Sequence, residues 1–205
     1  MKLERSGAYV VSQSQFKITV EDGTMIEVKV DKAKKNTIGI IHLFHGMAEH
    51  MDRYDELVNA LNIQGYDVLR HNHRGHGKDI DEVERGHFES MSQIADDAYE
   101  IVETLYGTEL KVPYVVLGHS MGSIIARLFV MRYPEFADGL ILTGTGMFPK
   151  WKGVPATFAL KLITMILGKR RRVNWVNKLV NKSFNKRISN PCLLYTSDAA
   201  DDSLR

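Results

Sequence analysis

The chain has 205 residues, a length that fits one domain with a sizeable core. Hydrophobic residues at 44% and charged residues at 25% describe an ordinary globular protein, and a net charge of +2 argues against nucleic acid as the partner. Residues 1–15 hold no long apolar stretch, no apolar run reaches 18 residues, and Cys192 is the one cysteine. The expectation is no signal peptide, no membrane-spanning helix, no internal disulfide and a reducing, cytoplasmic location.

Phe16 to Val20 alternates apolar and polar residues, Glu21-Asp22-Gly23-Thr24 is a turn, and Met25 to Val30 alternates again. This predicts an antiparallel hairpin. Thr37 to Phe44 runs apolar without alternation, as a strand covered on both faces does. It ends in His45-Gly46-Met47-Ala48-Glu49-His50. Tyr54, Leu57, Val58, Leu61 and Ile63 predict a helix over 52–64, closed by Gly65. Tyr66 to Arg70 is another short strand, followed by the loop Asn72-His73-Arg74-Gly75-His76-Gly77. Met91, Ile94, Ala95, Ala98, Ile101, Val102 and Leu105 place an apolar stripe on a helix over 91–107. A strand over 113–117, a helix over 123–133 and a buried strand over 139–144 complete the pattern.

Strands alternating with helices of this length predict an α/β fold with a mostly parallel sheet. Ligands on such sheets lie past the carboxyl ends of the strands. His45–Met47, Asn72–Gly77, Ser120 and Thr143–Gly146 all fall there, so four loops should converge on one rim.

Gly118-His119-Ser120-Met121-Gly122 stands between the strand and the helix that follows it. This is the setting of a nucleophile elbow, a tight turn that exposes a serine hydroxyl. Glycines are needed at 118 and 122 because so sharp a turn leaves no room for side chains. A serine nucleophile needs a base and donors for the oxyanion that forms. In this architecture the donors are backbone N–H groups, which makes Met121 and Met47 the candidates.

His45 to His50 resembles the H-G-x-x-E-H box of monoacylglycerol lipases and lysophospholipases, serine aminopeptidase S33-type members of the α/β-hydrolase superfamily. Asn72 to Lys78 is similar to their D-H-R-G-H-G-x-S box, departing at Asn72 and Asp79. Gly118 to Gly122 matches their G-H-S-M-G elbow. The resemblance covers residues 16–146 and implies the first part of an α/β-hydrolase core over 1–146. It implies hydrolysis of a fatty-acyl ester through an acyl-serine, with no metal or organic cofactor. An aminopeptidase of the same superfamily and a non-catalytic binding protein on this fold are the alternatives.

All eight histidines precede Ser120. The family order is serine, acid, histidine, so no residue of this chain can be the base in that order. Asp138, at the start of a strand, is a poor candidate for the acid. His45 and His50 are expected to shape their loop, His73 and His76 to order theirs by hydrogen bonds, and His119 to pack.

Residues 147–191 resemble the beginning of the family's helical cap. An apolar helix over 156–168 beside Lys169-Arg170-Arg171-Arg172 can dock on anionic lipid, and a solvated charge run beside a core-packed helix is the preferred alternative. Residues 192–205 resemble the translation of a transposase-type sequencing adapter. The expectation is that the gene continues past Pro191, that acid and base lie beyond it, and that the 205-residue chain is unstable and has little or no turnover.

Overall fold

The computed structural model describes residues 13–145 except 79, 82 and 83. The expectations for 147–191 and 192–205, including lipid docking by the cap, lie outside the described residues.

Six strands form one sheet: β1 (Gln13–Thr19), β2 (Met25–Asp31), β3 (Gly39–Phe44), β4 (Tyr66–His71), β5 (Tyr114–His119) and β6 (Gly139–Thr143). Their order is β1-β2-β4-β3-β5-β6. β1 pairs antiparallel with β2, and β2 with β4, while β3, β4, β5 and β6 run parallel. The expected α/β fold with its N-terminal antiparallel hairpin is therefore observed.

Among the described residues three α-helices cover the two faces: α1 (Asp55–Gln64), α2 (Met91–Tyr106) and α3 (Met121–Arg132). Ile40, Phe44, Leu69, Tyr114 and Val116 pack against Ile94, Ala98, Ile101 and Val102 of α2 and Ile125 and Phe129 of α3. Ile41, Leu43, Val68 and Leu117 point the other way and pack against Val58 of α1. Each strand thus buries successive residues on opposite faces, which is why β3 lacks polar alternation. Ser90 caps α2, its hydroxyl accepting the Gln93 N–H at 3.1 Å. Gly65 ends α1 at φ 104°, a left-handed conformation that favours glycine.

Several details depart from expectation. The 52–64 helix begins as a 3-10 turn over Met51–Tyr54, and α1 proper starts at Asp55. Buried Arg70 explains this: its guanidinium donates to the Met51 carbonyl at 2.9 Å and to Asp55 at 2.5 Å, pinning the first turn. Leu57 and Ile63 are exposed, and Asn62 takes the buried position, its amide donating to the carbonyls of Asp31 and Tyr66. β6 is the last strand of the sheet among the described residues, and its Leu140 and Ile141 are exposed rather than buried. No helix among the described residues is long and apolar enough to cross a membrane.

Candidate active site

β5 delivers the chain to Ser120, and α3 begins at the next residue, two positions earlier than the expected start. Ser120 adopts φ 51° and ψ −115°. The only other non-glycine residue with positive φ among the described residues is Ala48, at 57°, in the loop after β3. Such strain costs about 1–3 kcal/mol per residue and gathers at functional sites. Two anchors hold the turn. The Ser120 N–H donates to the Thr143 carbonyl at 2.9 Å, and the Ser120 carbonyl accepts from the Ser123 N–H and hydroxyl at 3.0 and 2.6 Å.

The elbow glycines are required by contact. A Cβ on Gly118 would run into the Gly122 carbonyl and lie 2.7 Å from the Ser123 Cα. A Cβ on Gly122 would run into the Phe44 carbonyl and lie 2.6 Å from that of His45. Gly122 therefore lets α3 slide beneath the end of β3. The expected crowding is present, with the clash at 122 coming from β3 rather than from residue 118.

The loop after β3 lies against the serine. A Cβ on Gly46 would sit 3.3 Å from the Ser120 Cβ. Three clamps orient its peptides. The His45–Gly46 peptide is held at both ends: Glu49 Oε2 accepts the Gly46 N–H at 3.0 Å, and the His45 carbonyl meets His73 Nε2 at 3.1 Å. The Gly46 carbonyl meets His45 Nδ1 at 2.7 Å. In a trans peptide the N–H points opposite the carbonyl, so this last clamp turns the Met47 N–H the other way. Glu49 is itself held, accepting the Tyr54 hydroxyl at 2.7 Å and pairing with Arg53 at 3.1 Å.

The Met47 N–H has no acceptor among the described residues. The Met121 N–H is the first of α3, among those a helix leaves without an internal partner. The Met47 side chain is exposed and that of Met121 is buried. Ser120 is exposed, and its hydroxyl makes no hydrogen bond among the described residues.

The histidines are mostly structural. His45 receives the His73 N–H on Nε2 at 3.0 Å, so its Nδ1 carries the proton toward Gly46. Burial pushes His45 well below the usual imidazole range, with nearby His76 adding to the effect. His76 Nδ1 bonds the Arg74 carbonyl at 2.9 Å, within its own loop, and burial lowers it too. His119 Nδ1 meets the Thr143 hydroxyl at 2.9 Å, tying β5 to β6. His50 Nδ1 lies 4.0 Å from Asp52. Asp138 takes the Tyr114 N–H at 2.8 Å at the start of β5, the sheet end opposite Ser120. It is spent on strand pairing.

The 72–77 loop is fixed by polar contacts. Arg74 grips Asp97 of α2 through two bonds at 2.6 and 2.7 Å and reaches Asp22 in the hairpin turn at 2.6 Å. These bonds raise the Arg74 pKa, the Asp97 bond most; burial raises Asp97 despite its partner. Asn72 stands where the resembled box has Asp, and its surroundings explain why. Its Oδ1 accepts the Met51 N–H at 2.9 Å while its Nδ2 donates to Glu27 at 2.6 Å. Asn72→Asp would set carboxylate against carboxylate. We expect a loss of about 2 kcal/mol in thermal denaturation at pH 7, largely recovered by adding Glu27→Gln.

Sequence reasoning missed Glu49 as the loop's clamp, and missed His42 and His71. His42 interrupts the otherwise apolar β3, His71 ends β4, and both are buried. A polar residue in such a run was the available signal, because a buried imidazole needs partners on both nitrogens.

A serine on a strained strand-to-helix turn, at the carboxyl edge of a parallel sheet and packed by a glycine loop, defines an α/β-hydrolase elbow. Comparison with known proteins agrees. The family described as serine aminopeptidase, S33, matches residues 35–199, and the chain belongs to it. The chain is 29% identical over 181 residues to monoglyceride lipase of Mus musculus, covering 86% of this chain and 57% of that enzyme. It is 32% identical over 109 residues to lysophospholipase L2 of Escherichia coli, covering 51% of this chain and 32% of that one. A thermostable carboxyl esterase from Bacillus coagulans superposes with a TM-score of 0.70 at 26% identity, over 89% of this chain and 60% of that structure. The chain thus spans little more than half the length of the relatives it matches most extensively.

Proposed function

We propose that this chain is the nucleophile-bearing part of a carboxylic ester hydrolase acting on monoacylglycerols or lysophospholipids. Ser120 attacks the ester carbonyl, and the Met47 and Met121 N–H groups receive the oxyanion. The observation that carries this reading is the Ser120 turn packed against a loop whose other polar groups are already clamped. Gly46 cannot serve as a donor because Glu49 holds its N–H. Met47 is left with an N–H turned away from the Gly46 carbonyl, and methionine is acceptable there because only the backbone participates. Losing one such donor costs about 3 kcal/mol of barrier.

The collapse of the tetrahedral intermediate expels the alcohol, glycerol or a glycerophospho group, and leaves an acyl-serine for water to cleave. Both proton transfers require a base. His45 has both ring nitrogens engaged by other groups. No histidine follows Ser120, so in the family order of serine, acid and histidine these 205 residues offer no base. The substrate assignment rests on the lipase and lysophospholipase relatives.

Substrate profiling tests it. A full-length protein that contains this chain should release fatty acid from a monoacylglycerol or a lysophospholipid, and Ser120→Ala should abolish the release. Cleavage of aminoacyl amides without ester cleavage would instead assign an aminopeptidase.

A further inference from the structure

Four buried side chains lie in line between the core and the candidate oxyanion loop. The Tyr114 hydroxyl is 2.5 Å from His42 Nδ1, and His42 Nε2 is 2.9 Å from His71 Nδ1. His71 Nε2 is 3.1 Å from His73 Nδ1, and His73 Nε2 is 3.1 Å from the His45 carbonyl. His42, His71 and His73 are all at most 1% exposed, and Tyr114 is fully buried.

The chemistry of the last acceptor orients the whole line. A carbonyl accepts and never donates, so His73 must carry its proton on Nε2. Its Nδ1 is then an acceptor, which requires a proton on Nε2 of His71. The same step requires one on Nε2 of His42. The remaining acceptor, His42 Nδ1, takes the Tyr114 hydroxyl. Each neutral imidazole has one donor and one acceptor, so the line closes with every group satisfied. The opposite orientation would point the lone pair of His73 Nε2 at the His45 carbonyl oxygen, with no proton between them. Phe44 packs edge-on against His42, His71 and His73, enclosing the line in apolar surface.

We propose that His73 is a positioning residue for the oxyanion loop, held in its donor tautomer by the one-way line from Tyr114 through His42 and His71. His73 grips the loop twice. Its side chain holds the His45 carbonyl, and its backbone N–H holds His45 Nε2. The second grip keeps the His45 proton on Nδ1, facing the Gly46 carbonyl. The orientation of the His45–Gly46 peptide thus depends on a tautomer sequence that begins at a tyrosine in the core, and that of the Met47 N–H on the His73 backbone N–H. The catalytic meaning of this rests on Met47 being an oxyanion donor; the positioning itself does not.

Nitrogen-15 spectra of the histidine rings in the 205-residue chain at pH 7 test the tautomers without any turnover. His42, His71 and His73 should each show the proton on Nε2, and His45 on Nδ1. A proton on Nδ1 of His71 or His73 overturns the proposal. Amide hydrogen exchange tests the positioning. In His73→Leu the Gly46 N–H should exchange about tenfold faster, the equivalent of one lost hydrogen bond, with the Ile101 amide in α2 unchanged. His73→Gln, whose amide N–H can reach the same carbonyl, should restore part of the protection. No change at Gly46, or equal acceleration at Ile101, overturns it. Expected tautomers and exchange in a protein whose complete form cleaves no ester would leave the positioning intact and remove the ester reading.

Discussion

Acidification below pH 6.5 should unfold this protein over a narrow range. His42, His45, His71 and His73 are buried and neutral, with pKa values pushed down from the ordinary 6.5 chiefly by burial, that of His71 to about 3. The unfolded chain regains ordinary histidines. Below pH 6.5 it therefore binds more protons than the folded chain, and stability falls as pH falls. The contribution is complete above 6.5 and is lost progressively toward the folded values. Each such group weighs about 1.4 kcal/mol per pH unit, so four together approach about 5 kcal/mol per unit. The acid midpoint should therefore lie below pH 6.5, on the side where the unfolded histidines are protonated and the folded ones are not. Circular dichroism against pH measures it. A native spectrum persisting at pH 3.5 contradicts the neutral, buried network.

Gly122→Ala should be the most damaging single methyl group in the site. The added carbon meets two backbone carbonyls at the end of β3, Phe44 and His45, and neither can rotate away. Overpacking costs about 1–3 kcal/mol where side chains yield, and here β3 or α3 must shift instead. We expect a loss of about 3 kcal/mol or more in urea unfolding. Because His45 is the residue pushed, the loop after β3 moves as well. Gly139→Ala is the control: its φ is not positive, and its new methyl meets only the Val115 side chain, at 3.3 Å, which can shift. Equal losses in the two variants would mean that crowding at the elbow is not what glycine relieves.

The architecture was readable because period and punctuation agreed. The hairpin turn at Asp22-Gly23, the non-alternating run of β3 and the stripe on α2 each have one structural solution. The elbow was readable for the same reason, with strand, glycine, serine and helix in immediate succession. What escaped was set by tertiary contact. The 3-10 entry to α1 depends on Arg70, a residue in a different strand, and no local signal announces it. Asn62 displaced Leu57 and Ile63 from the core because its amide has two carbonyls to satisfy. β6 read as buried from its residue types alone, and its exposure reflects what lies beside it. The clamps on the loop after β3 join residues up to 28 positions apart, as His45 and His73 are. The Asn72 departure from the resembled box makes sense only once Glu27 is seen beside it.

The central claim is that Ser120 is a built nucleophile whose base lies outside these residues. Hydrolysis of a short-chain p-nitrophenyl ester by the 205-residue chain tests it most directly, with Ser120→Ala alongside. The expected result is turnover at background for both, with Ser120-dependent activity and fluorophosphonate labelling of Ser120 only in a full-length protein that contains this chain. Turnover by the 205-residue chain comparable to that of its intact relatives, abolished by Ser120→Ala, would contradict the claim and place a working base among the histidines that precede the serine.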